Sequence, residues 1–167
     1  PIPKPHRNIM CLGLNYAEHA KESAEARGRE YKQHAHPVFF TKATHTINRH
    51  EGAIPFDPAV SEQIDWEAEL VVVIGRGGAG IAAKDAMKHV AGYTVGQDIS
   101  DRRQQFSDKP PQFSLGKSAT AYGPIGPAVV SLDAFANPDD LAIACDLNGE
   151  SMQSSRTSNL IFPVAEL

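Results

Sequence analysis

The sequence predicts an α+β domain in which strands dominate and helices are few and short. Three observations support this fold class. Short apolar runs bounded by turn residues recur along the chain, as is typical of buried strands. Few stretches have the composition of helices. An alternating apolar run at 141–147 is followed by Asn148-Gly149, a strong hairpin signal that indicates antiparallel pairing.

The N-terminal part of the chain predicts two strands around one helix. Residues 9–14 form a short apolar run, and residues 37–41 (PVFFT) are a second strand candidate. Residues 16–32 are rich in Ala, Glu, Lys and Arg, so we expect a helix there. Its apolar stripe is thin, which predicts a loosely docked surface helix. Residues 45–62 contain turn residues and prolines and are expected to be mostly loop or strand edge.

The central part contains the strongest strand candidate, residues 66–74, which ends in a glycine-rich turn. A short helix at 82–90 and another strand at 92–97 follow. Residues 100–127 contain four prolines and several glycines, and they predict a long ordered loop or two short elements within one.

Length and composition are those of an ordinary single globular domain. The 167 residues, 41% hydrophobic and 22% charged, are enough to bury a core without disulfides. A formal charge of −4 provides no broad cationic surface, which disfavours nucleic acid and anionic membranes as partners. No apolar run approaches the length of a membrane span, and Cys11 and Cys145 form no disulfide framework. We therefore expect a cytoplasmic protein with buried free thiols.

Residues 75–80 match the G-x-G-x-x-G phosphate-binding pattern, and Asp98 follows eighteen residues after the last glycine. A dinucleotide-binding domain needs repeated strand–helix–strand units, because crossovers join its parallel strands. Only one such unit occurs before the helical pattern gives way to a proline-rich segment and a hairpin. The pattern therefore favours a plain turn between a strand and a helix, with no nucleotide cofactor.

Two carboxylates lie close together at the start of the strongest strand. Side chains alternate along a strand, so Glu67 and Glu69 point to one side with their centres roughly 7 Å apart. They repel each other unless a Lys, an Arg or a hard divalent cation lies between them. A solvated strand face with alternating Glu is the alternative, and the spacing alone favours it.

A third acid, Asp98, follows the next strand and changes this balance. If the two strands are neighbours, three carboxylates converge with no matching excess of nearby cations. A Mg²⁺ or Mn²⁺ site with open positions for water and substrate is then a reasonable hypothesis, with Ca²⁺ as a further candidate. Asp98 thus has two alternative interpretations, as a metal ligand or as the ribose-binding acid considered above.

His19 and Glu22 are three residues apart on one face of the predicted helix. A carboxylate beside an imidazole raises its basicity and fixes its tautomer, as a general base that takes a proton from water requires. The alternative is a surface helix with incidental polar neighbours, and on spacing alone it is the stronger interpretation. The other histidines have no metal-ligand spacing.

Six segments occur in an order that resembles the fumarylacetoacetate hydrolase family. The resemblance is closest to bacterial members of the acylpyruvate hydrolase and 2-hydroxyhepta-2,4-diene-1,7-dioate isomerase type. The segments are GLNYAEHAKE, PVFFTKATHTI, DWEAELVVVIG, GYTVGQDISDRRQQF, GKSATAYGPIGP and LNGESMQSSRTSNLIF. They cover nearly the whole chain, and as a co-linear set they are far more specific than any single motif.

The resemblance implies three sets of functional residues. The implied metal ligands are Glu67, Glu69 and Asp98. The implied catalytic residues are the water-activating dyad and a lysine that stabilises developing negative charge, namely His19, Glu22 and Lys117. The implied substrate contacts are Tyr16, Arg102 and Gln105.

The resemblance also implies the architecture. The family fold is a mixed β-sandwich roll with a few short helices, usually as a homodimer. We expect one such domain over residues 1–167, with a mobile lid helix at about 16–32 and the metal-site core at about 65–130. The family's catalytic domain normally continues past Leu167, so we expect this domain to be incomplete at its C-terminal end.

The implied reaction is divalent-metal-dependent cleavage of a C–C bond in a small 2-oxo acid such as an acylpyruvate or fumarylpyruvate. The family uses no nucleotide cofactor. Decarboxylation or isomerisation of an aromatic-degradation 2-oxo dioate or of oxaloacetate is the second candidate, because the same stabilised enolate serves it without an attacking water. A metal-binding family member without catalysis is the third.

Overall fold

A computed structural model describes residues 2, 5–26, 28 and 30–167. The strands in this part are β1 Ile9–Gly13, β2 Val38–Lys42, β3 Ile47–Asn48, β4 Ile64–Asp65, β5 Ala68–Ile74, β6 Val90–Gln97, β7 Ser100–Asp101, β8 Gly123–Val130, β9 Ala142–Leu147 and β10 Glu150–Arg156. The α-helices are α1 Ala17–Glu25, α2 Ala83–Ala86, α3 Arg102–Gln105 and α4 Phe113–Lys117. Short 3-10 turns lie at Thr44–Thr46, Met87–His89, Leu132–Ala134, Thr157–Asn159 and Val164–Glu166. The predicted α+β class with dominant strands is confirmed.

The largest sheet in the described part of the chain is mixed and has four strands. Its strand order is β3-β8-β6-β5, with β3 parallel to β8 and the other neighbours antiparallel. The other sheets of the described residues have two strands each, namely β1–β2, β4–β7 and β9–β10. Tyr93 of β6 is 2% exposed, and its ring lies 5.9 Å from that of Phe135. Tyr93 thus anchors β6 in the core.

The glycine-rich turn connects β5 to β6, and these two strands pair antiparallel. A dinucleotide-binding unit instead requires parallel strands joined by a crossover. The helical segment after the turn is one α-helical turn, Ala83–Ala86, followed by a 3-10 turn. The interpretation of residues 75–80 as a connector is therefore confirmed.

Helix α1 is shorter than the predicted helix at 16–32. It ends at Glu25, and Gly28 adopts a left-handed φ of +62°, which a glycine accepts at no steric cost. Ala20 is its one buried residue among those described, so the predicted surface position is confirmed. Arg27 and Arg29, which belong to the predicted helix, lie outside the described residues.

The prediction for residues 100–127 is wrong in part, because β7, α3, α4 and the start of β8 lie there. The helices α3 and α4 have 4 and 5 residues, which is too short for a helical period to show in the sequence. The hairpin prediction is confirmed. Leu147 pairs with Glu150 across Asn148 and Gly149, whose φ angles of +53° and +85° are those of a type I′ turn.

The longest α-helix in the described part of the chain, α1, has 9 residues. In the described part of the chain, no helix has the length and apolar character that crossing a membrane requires.

Candidate active site

Three carboxylates meet at one end of the β5–β6 pair. Glu67 immediately precedes β5, Glu69 is the second residue of that strand, and Asp98 immediately follows β6. The register pairs Ala68 with Gln97, and the Asp98 N–H donates to the Glu67 carbonyl oxygen at 2.8 Å. Glu67 therefore lies opposite Asp98, and the two strands bring the acids together as neighbouring strands were expected to do.

Three cationic side chains neutralise this cluster. Lys117 Nζ donates to Glu67 Oε2 at 2.7 Å and to Asp98 Oδ2 at 2.9 Å. Lys42 Nζ donates to Asp98 Oδ1 at 2.6 Å, and Arg102 Nη2 lies 2.6 Å from Glu67 Oε1. The expectation that the acids converge without matching cations is therefore wrong. Each carboxylate oxygen of Glu67 and of Asp98 has a cationic partner.

Lys117 reaches the acids because α4 packs closely against α3. A Cβ added at Gly116 would lie 2.7 Å from the backbone nitrogen of Gln105, so a residue larger than glycine would push α4 away. The Lys117 side chain is only 3% exposed, and its Nζ also donates to Ser100 Oγ at 2.7 Å. Its Nζ lies 5.2 Å from the centre of the Phe40 ring, which adds a cation–π contact.

Lys42 is a member of the cluster that the sequence analysis did not identify. It is the last residue of β2, and its Nζ donates to Asp98 Oδ1 and, at 3.1 Å, to the Ile99 carbonyl oxygen. Burial lowers the pKa of Lys42, and the Asp98 charge opposes that shift. The sequence does contain a signal for it. Lys42 ends the apolar run VFFTK, and a charged residue in a buried strand indicates an oppositely charged partner nearby.

Glu69 has no ion pair or side-chain hydrogen bond among the described residues, unlike the other two acids. Burial, and then the charges of Glu67 and Asp98, raise its pKa to about 8. Tyr16 Oη is buried without a hydrogen-bond partner in the described part of the chain. Burial and the Glu69 charge raise the pKa of this phenol to about 12. Burial therefore favours the neutral form of both groups, and the charge of Glu69 acts on the Tyr16 phenol.

Of the predicted substrate contacts on α3, Arg102 lies beside Glu67, and Gln105 is hydrogen-bonded to Arg102. Arg102 Nη1 donates to Gln105 Oε1 at 2.9 Å, and Gln105 is 3% exposed. Arg102 Nε donates to Asp65 Oδ2 at 2.8 Å while its Nη2 approaches Glu67. Asp65, which the sequence analysis left without a role, therefore orients the guanidinium group.

The proposed dyad lies on α1 rather than in the cluster. His19 and Glu22 both have exposed side chains. Within the described residues, neither makes a hydrogen bond or ion pair with the other or with the carboxylates. Tyr16, the N-cap residue of the same helix, does interact with Glu69. The role of His19 and Glu22 stays a prediction.

The donor chemistry of the cluster fits a hard divalent cation. Carboxylate oxygens are the ligands that Mg²⁺ and Mn²⁺ prefer. The Lys117 ammonium already lies between Glu67 and Asp98, and the Glu69 carboxyl lacks a cationic partner in the described chain. As the side chains stand, the described residues contain no group of three His, Cys, Asp or Glu side chains arranged around one metal ion. Lysine and arginine donors engage the oxygens instead.

The chain matches a known protein family over almost its whole length. The model of the fumarylacetoacetate (FAA) hydrolase C-terminal family aligns with residues 8–167. The chain therefore belongs to the fumarylacetoacetate hydrolase family, as its six segments predicted. Its strand-rich fold with few short helices is the fold of that family's domain.

The names of three relatives state which reactions proteins with this domain catalyse. The oxaloacetate tautomerase YisK of Bacillus subtilis (strain 168) is 41% identical over 167 residues, which cover 100% of this chain and 54% of that protein. A fumarylpyruvate hydrolase from Pseudomonas aeruginosa, solved in complex with Mn²⁺ and pyruvate, is 32% identical. It has a TM-score of 0.82 over 98% of this chain and 70% of that chain.

The third relative is a 5-carboxymethyl-2-hydroxymuconate delta-isomerase from Mycobacterium smegmatis. It is 30% identical, with a TM-score of 0.79 over 95% of this chain and 59% of that chain. A tautomerase, a hydrolase and an isomerase thus share this domain. The chain spans about half the length of the curated relatives that it matches.

Proposed function

We propose that the chain is the catalytic domain of a divalent-metal-dependent keto–enol tautomerase that acts on a short 2-oxo dicarboxylate of the oxaloacetate type. The observation that carries the proposal is the buried, protonated Tyr16 phenol beside Glu69 in the carboxylate cluster. It provides a proton donor at the site, and His19, which is exposed on α1, can exchange protons with solvent. Tautomerisation needs proton transfer but no attacking water. The similarity to an oxaloacetate tautomerase supports the same reaction.

Glu67, Glu69 and Asp98 would hold the metal. When bound, a divalent cation supplies a Lewis acid that stabilises negative charge on the 2-oxo oxygen of the substrate. The similarity to a hydrolase solved with Mn²⁺ and pyruvate supports Mg²⁺ or Mn²⁺ as the metal and a 2-oxo acid as the substrate. We further propose that the protein is a homodimer and that it is located in the cytoplasm.

The chain's own residues supply the proton transfers. In the enol-to-keto direction, Tyr16 Oη delivers its proton to C3 of the substrate, and His19 accepts the proton of the enol hydroxyl group. Solvent then reprotonates the phenolate and takes the proton from His19. Arg102, oriented by Asp65, binds a substrate carboxylate through charge-assisted hydrogen bonds. Glu22 lies three residues after His19 on the same face of α1 and would orient the imidazole by accepting a hydrogen bond from it.

The experiment follows the decay of enol-oxaloacetate by its ultraviolet absorbance in the presence of Mn²⁺. We expect Glu67→Ala to abolish turnover and Tyr16→Phe to lower kcat by about 100-fold or more, the usual contribution of a positioned general acid. Tyr16→Phe keeps the ring and removes only the hydroxyl group, so it is the sharpest variant. Wild-type turnover in Tyr16→Phe would overturn the role of the phenol.

A C–C hydrolase of acylpyruvates or fumarylpyruvate is the second candidate. The i, i+3 spacing of His19 and Glu22 and the similarity to a fumarylpyruvate hydrolase favour it. In that reaction His19 deprotonates a water that attacks the distal carbonyl, and Lys117 stabilises the oxyanion. Pyruvate released from fumarylpyruvate by wild type but not by His19→Ala would support hydrolysis. Pyruvate formed from oxaloacetate itself would indicate decarboxylation.

A further inference from the structure

We infer that Asn15 is a positioning residue that holds the Tyr16 phenol at the site by hydrogen bonds to residues 160–162. The inference rests on the proposed function, since Tyr16 is the proton donor of that reaction. In this role Asn15 acts through Tyr16 rather than on the substrate. It fixes the main chain that carries the phenol, so that the hydroxyl group stays buried beside the carboxylates.

The Asn15 side chain pairs with the main chain of Phe162. Its Nδ2 donates to the Phe162 carbonyl oxygen at 3.1 Å, and its Oδ1 accepts from the Phe162 N–H at 2.9 Å. An asparagine amide has both donors and an acceptor, so this one side chain satisfies both main-chain groups of a single residue. Asn15 is only 9% exposed, and buried polar groups are costly to leave unpaired. The contact therefore ties Asn15 firmly to a residue 147 positions later in the sequence.

The main chain around Asn15 is tied to the same segment. The Ile161 N–H donates to the Asn15 carbonyl oxygen at 2.7 Å, and Tyr16 forms an antiparallel β-bridge with Leu160. Leu14, the residue before Asn15, has a left-handed φ of +58°. This conformation strains a leucine, and it persists only where the surrounding structure holds the chain in place. The contacts of Asn15 and Tyr16 with residues 160–162 hold it there.

Helix α1 contributes little to the position of Tyr16. Ala20 is its one buried residue among those described, and His19 and Glu22 have exposed side chains. Tyr16 is the N-cap residue and is extended, with a φ of −99° and a ψ of 125°, so it precedes the first helical turn. Its Oη is nevertheless buried. In the described part of the chain, the main-chain hydrogen bonds that tie this end of α1 to the rest of the fold are those with residues 160–162.

The first test measures the burial of the phenol independently of activity. Tetranitromethane nitrates accessible tyrosines, and peptide mass spectrometry distinguishes Tyr16 among the four tyrosines. Asn15→Leu keeps the size of the side chain and removes both bonds to Phe162. We expect Tyr16 to be nitrated about tenfold faster or more in this variant, because the lost bonds favour local opening.

The matched control for nitration is Asn48→Leu. The Asn48 amide also bonds main-chain groups, since its Nδ2 donates to the Ala53 carbonyl oxygen at 2.9 Å and its Oδ1 accepts from the Arg49 N–H at 2.8 Å. Asn48 lies in β3 and bonds none of residues 14–16. Asn48→Leu should therefore leave the nitration of Tyr16 and the turnover of enol-oxaloacetate unchanged.

The second test connects the position of the phenol to turnover of enol-oxaloacetate with Mn²⁺. Asn15→Leu should lower kcat by about tenfold or more, because a small displacement of the proton donor slows proton transfer. The KM should change little, because Arg102 still binds the substrate carboxylate. Asn15→Leu added to Tyr16→Phe should cause no further loss of kcat, because Asn15 acts through the phenol that Tyr16→Phe already lacks.

Nitration of Tyr16 at the wild-type rate in folded Asn15→Leu would overturn the inference. A further loss of kcat when Asn15→Leu is added to Tyr16→Phe would also overturn it, since Asn15 would then act on the fold as a whole. Wild-type turnover in Tyr16→Phe would instead remove the proposed role of the phenol in the reaction. Faster nitration in Asn15→Leu would still support positioning by Asn15 in that case.

Circular dichroism establishes whether Asn15→Leu folds. If it does not fold, Asn15→Asp takes its place, because the carboxylate keeps the acceptor for the Phe162 N–H and loses the donor to the Phe162 carbonyl oxygen. Faster nitration of Tyr16 in Asn15→Asp than in wild type would support the inference. An equal rate in the two proteins would overturn it.

Discussion

Lys42 and Asp98 form a buried ion pair, with 2.6 Å between Nζ and Oδ1, that joins the β1–β2 sheet to the end of β6. The two side chains are 3% and 8% exposed. We expect Lys42→Met to destabilise the chain by about 3 kcal/mol, the lower end of the cost of breaking a buried pair, because Asp98 keeps Lys117 as a partner. Urea unfolding followed by circular dichroism measures the loss.

The control for this prediction is an ion pair of the same length at the surface. Lys88 Nζ lies 2.6 Å from Asp85 Oδ1, and the Lys88 side chain is 73% exposed. Lys88→Met should leave the unfolding midpoint almost unchanged, because exposed pairs contribute little. Equal losses in the two variants would show that burial of Lys42 does not strengthen its pairing. A Lys42→Met/Asp98→Asn double variant should lose less than the two single changes added together.

Glu69 makes the stability of the metal-free chain depend on pH. Its pKa is raised from an ordinary 4.5 to about 8, so between these values the native state keeps a proton that the unfolded state loses. Because the native state binds more protons there, the free energy of unfolding falls as pH rises. The stabilisation is complete below pH 4.5 and is lost as pH rises through about 8. Urea unfolding in chelator between pH 5 and pH 9 measures this slope.

The matched variant for this prediction is Glu69→Gln, which keeps the shape of the protonated carboxyl group and cannot ionise. It should remove the part of the slope that Glu69 contributes. The same slope in both proteins would contradict the prediction. Because the metal would require the deprotonated carboxylate, saturating Mn²⁺ should oppose the loss of stability at high pH in wild type only.

Cys11 is expected to react very slowly with thiol reagents in the native state. Burial, followed by the charge of Asp98, raises its pKa to about 12, so roughly one thiol in ten thousand is ionised at pH 8. Iodoacetamide labelling of a Cys145→Ser variant, followed by mass spectrometry, measures Cys11 alone. Labelling should become rapid once urea unfolds the chain. Native labelling as fast as that of the unfolded chain would contradict the prediction.

The β9–β10 turn predicts a backbone effect that is independent of the candidate active site. Asn148 has a φ of +53°, a conformation that costs an alanine roughly 1–2 kcal/mol. Asn148→Ala should therefore lower the free energy of unfolding by about 1 kcal/mol, whereas Asn148→Gly should change it little. Urea unfolding of the two variants makes the comparison. Equal destabilisation by Ala and Gly would point to a lost side-chain contact instead of backbone strain.

The elements that could be predicted from the sequence are those with local signals. The alternation and Asn148-Gly149 define a hairpin without reference to the rest of the fold. Glu67 and Glu69 are two residues apart, so strand geometry alone places them on one side. The prediction that Asp98 lies near them required only the assumption that the strand after the turn pairs with the strand before it. The register of β5 and β6 confirms this pairing.

The cations of the site could not be predicted in the same way. Lys42 is 56 residues from Asp98, and Lys117 is 50 residues from Glu67. Those contacts depend on how separate sheets and short helices pack, and no local period encodes them. The pairing of Arg102 with Asp65 is similarly long-range, at 37 residues. The residues that are near the acids in the sequence therefore gave too low an estimate of the positive charge around them in the fold.

The connector between β5 and β6 leaves the sheet at the end opposite the acids, roughly 20 Å away at the rise of a strand. Residues 74–84 are exposed, and a Cβ added at Gly77 would meet nothing within 4 Å. Exposed loop tips of this kind tolerate inserted sequence well. A peptide tag placed after Gly77 would therefore give an attachment point for immobilising the domain or labelling it with a fluorophore, far from the groups whose chemistry is to be measured.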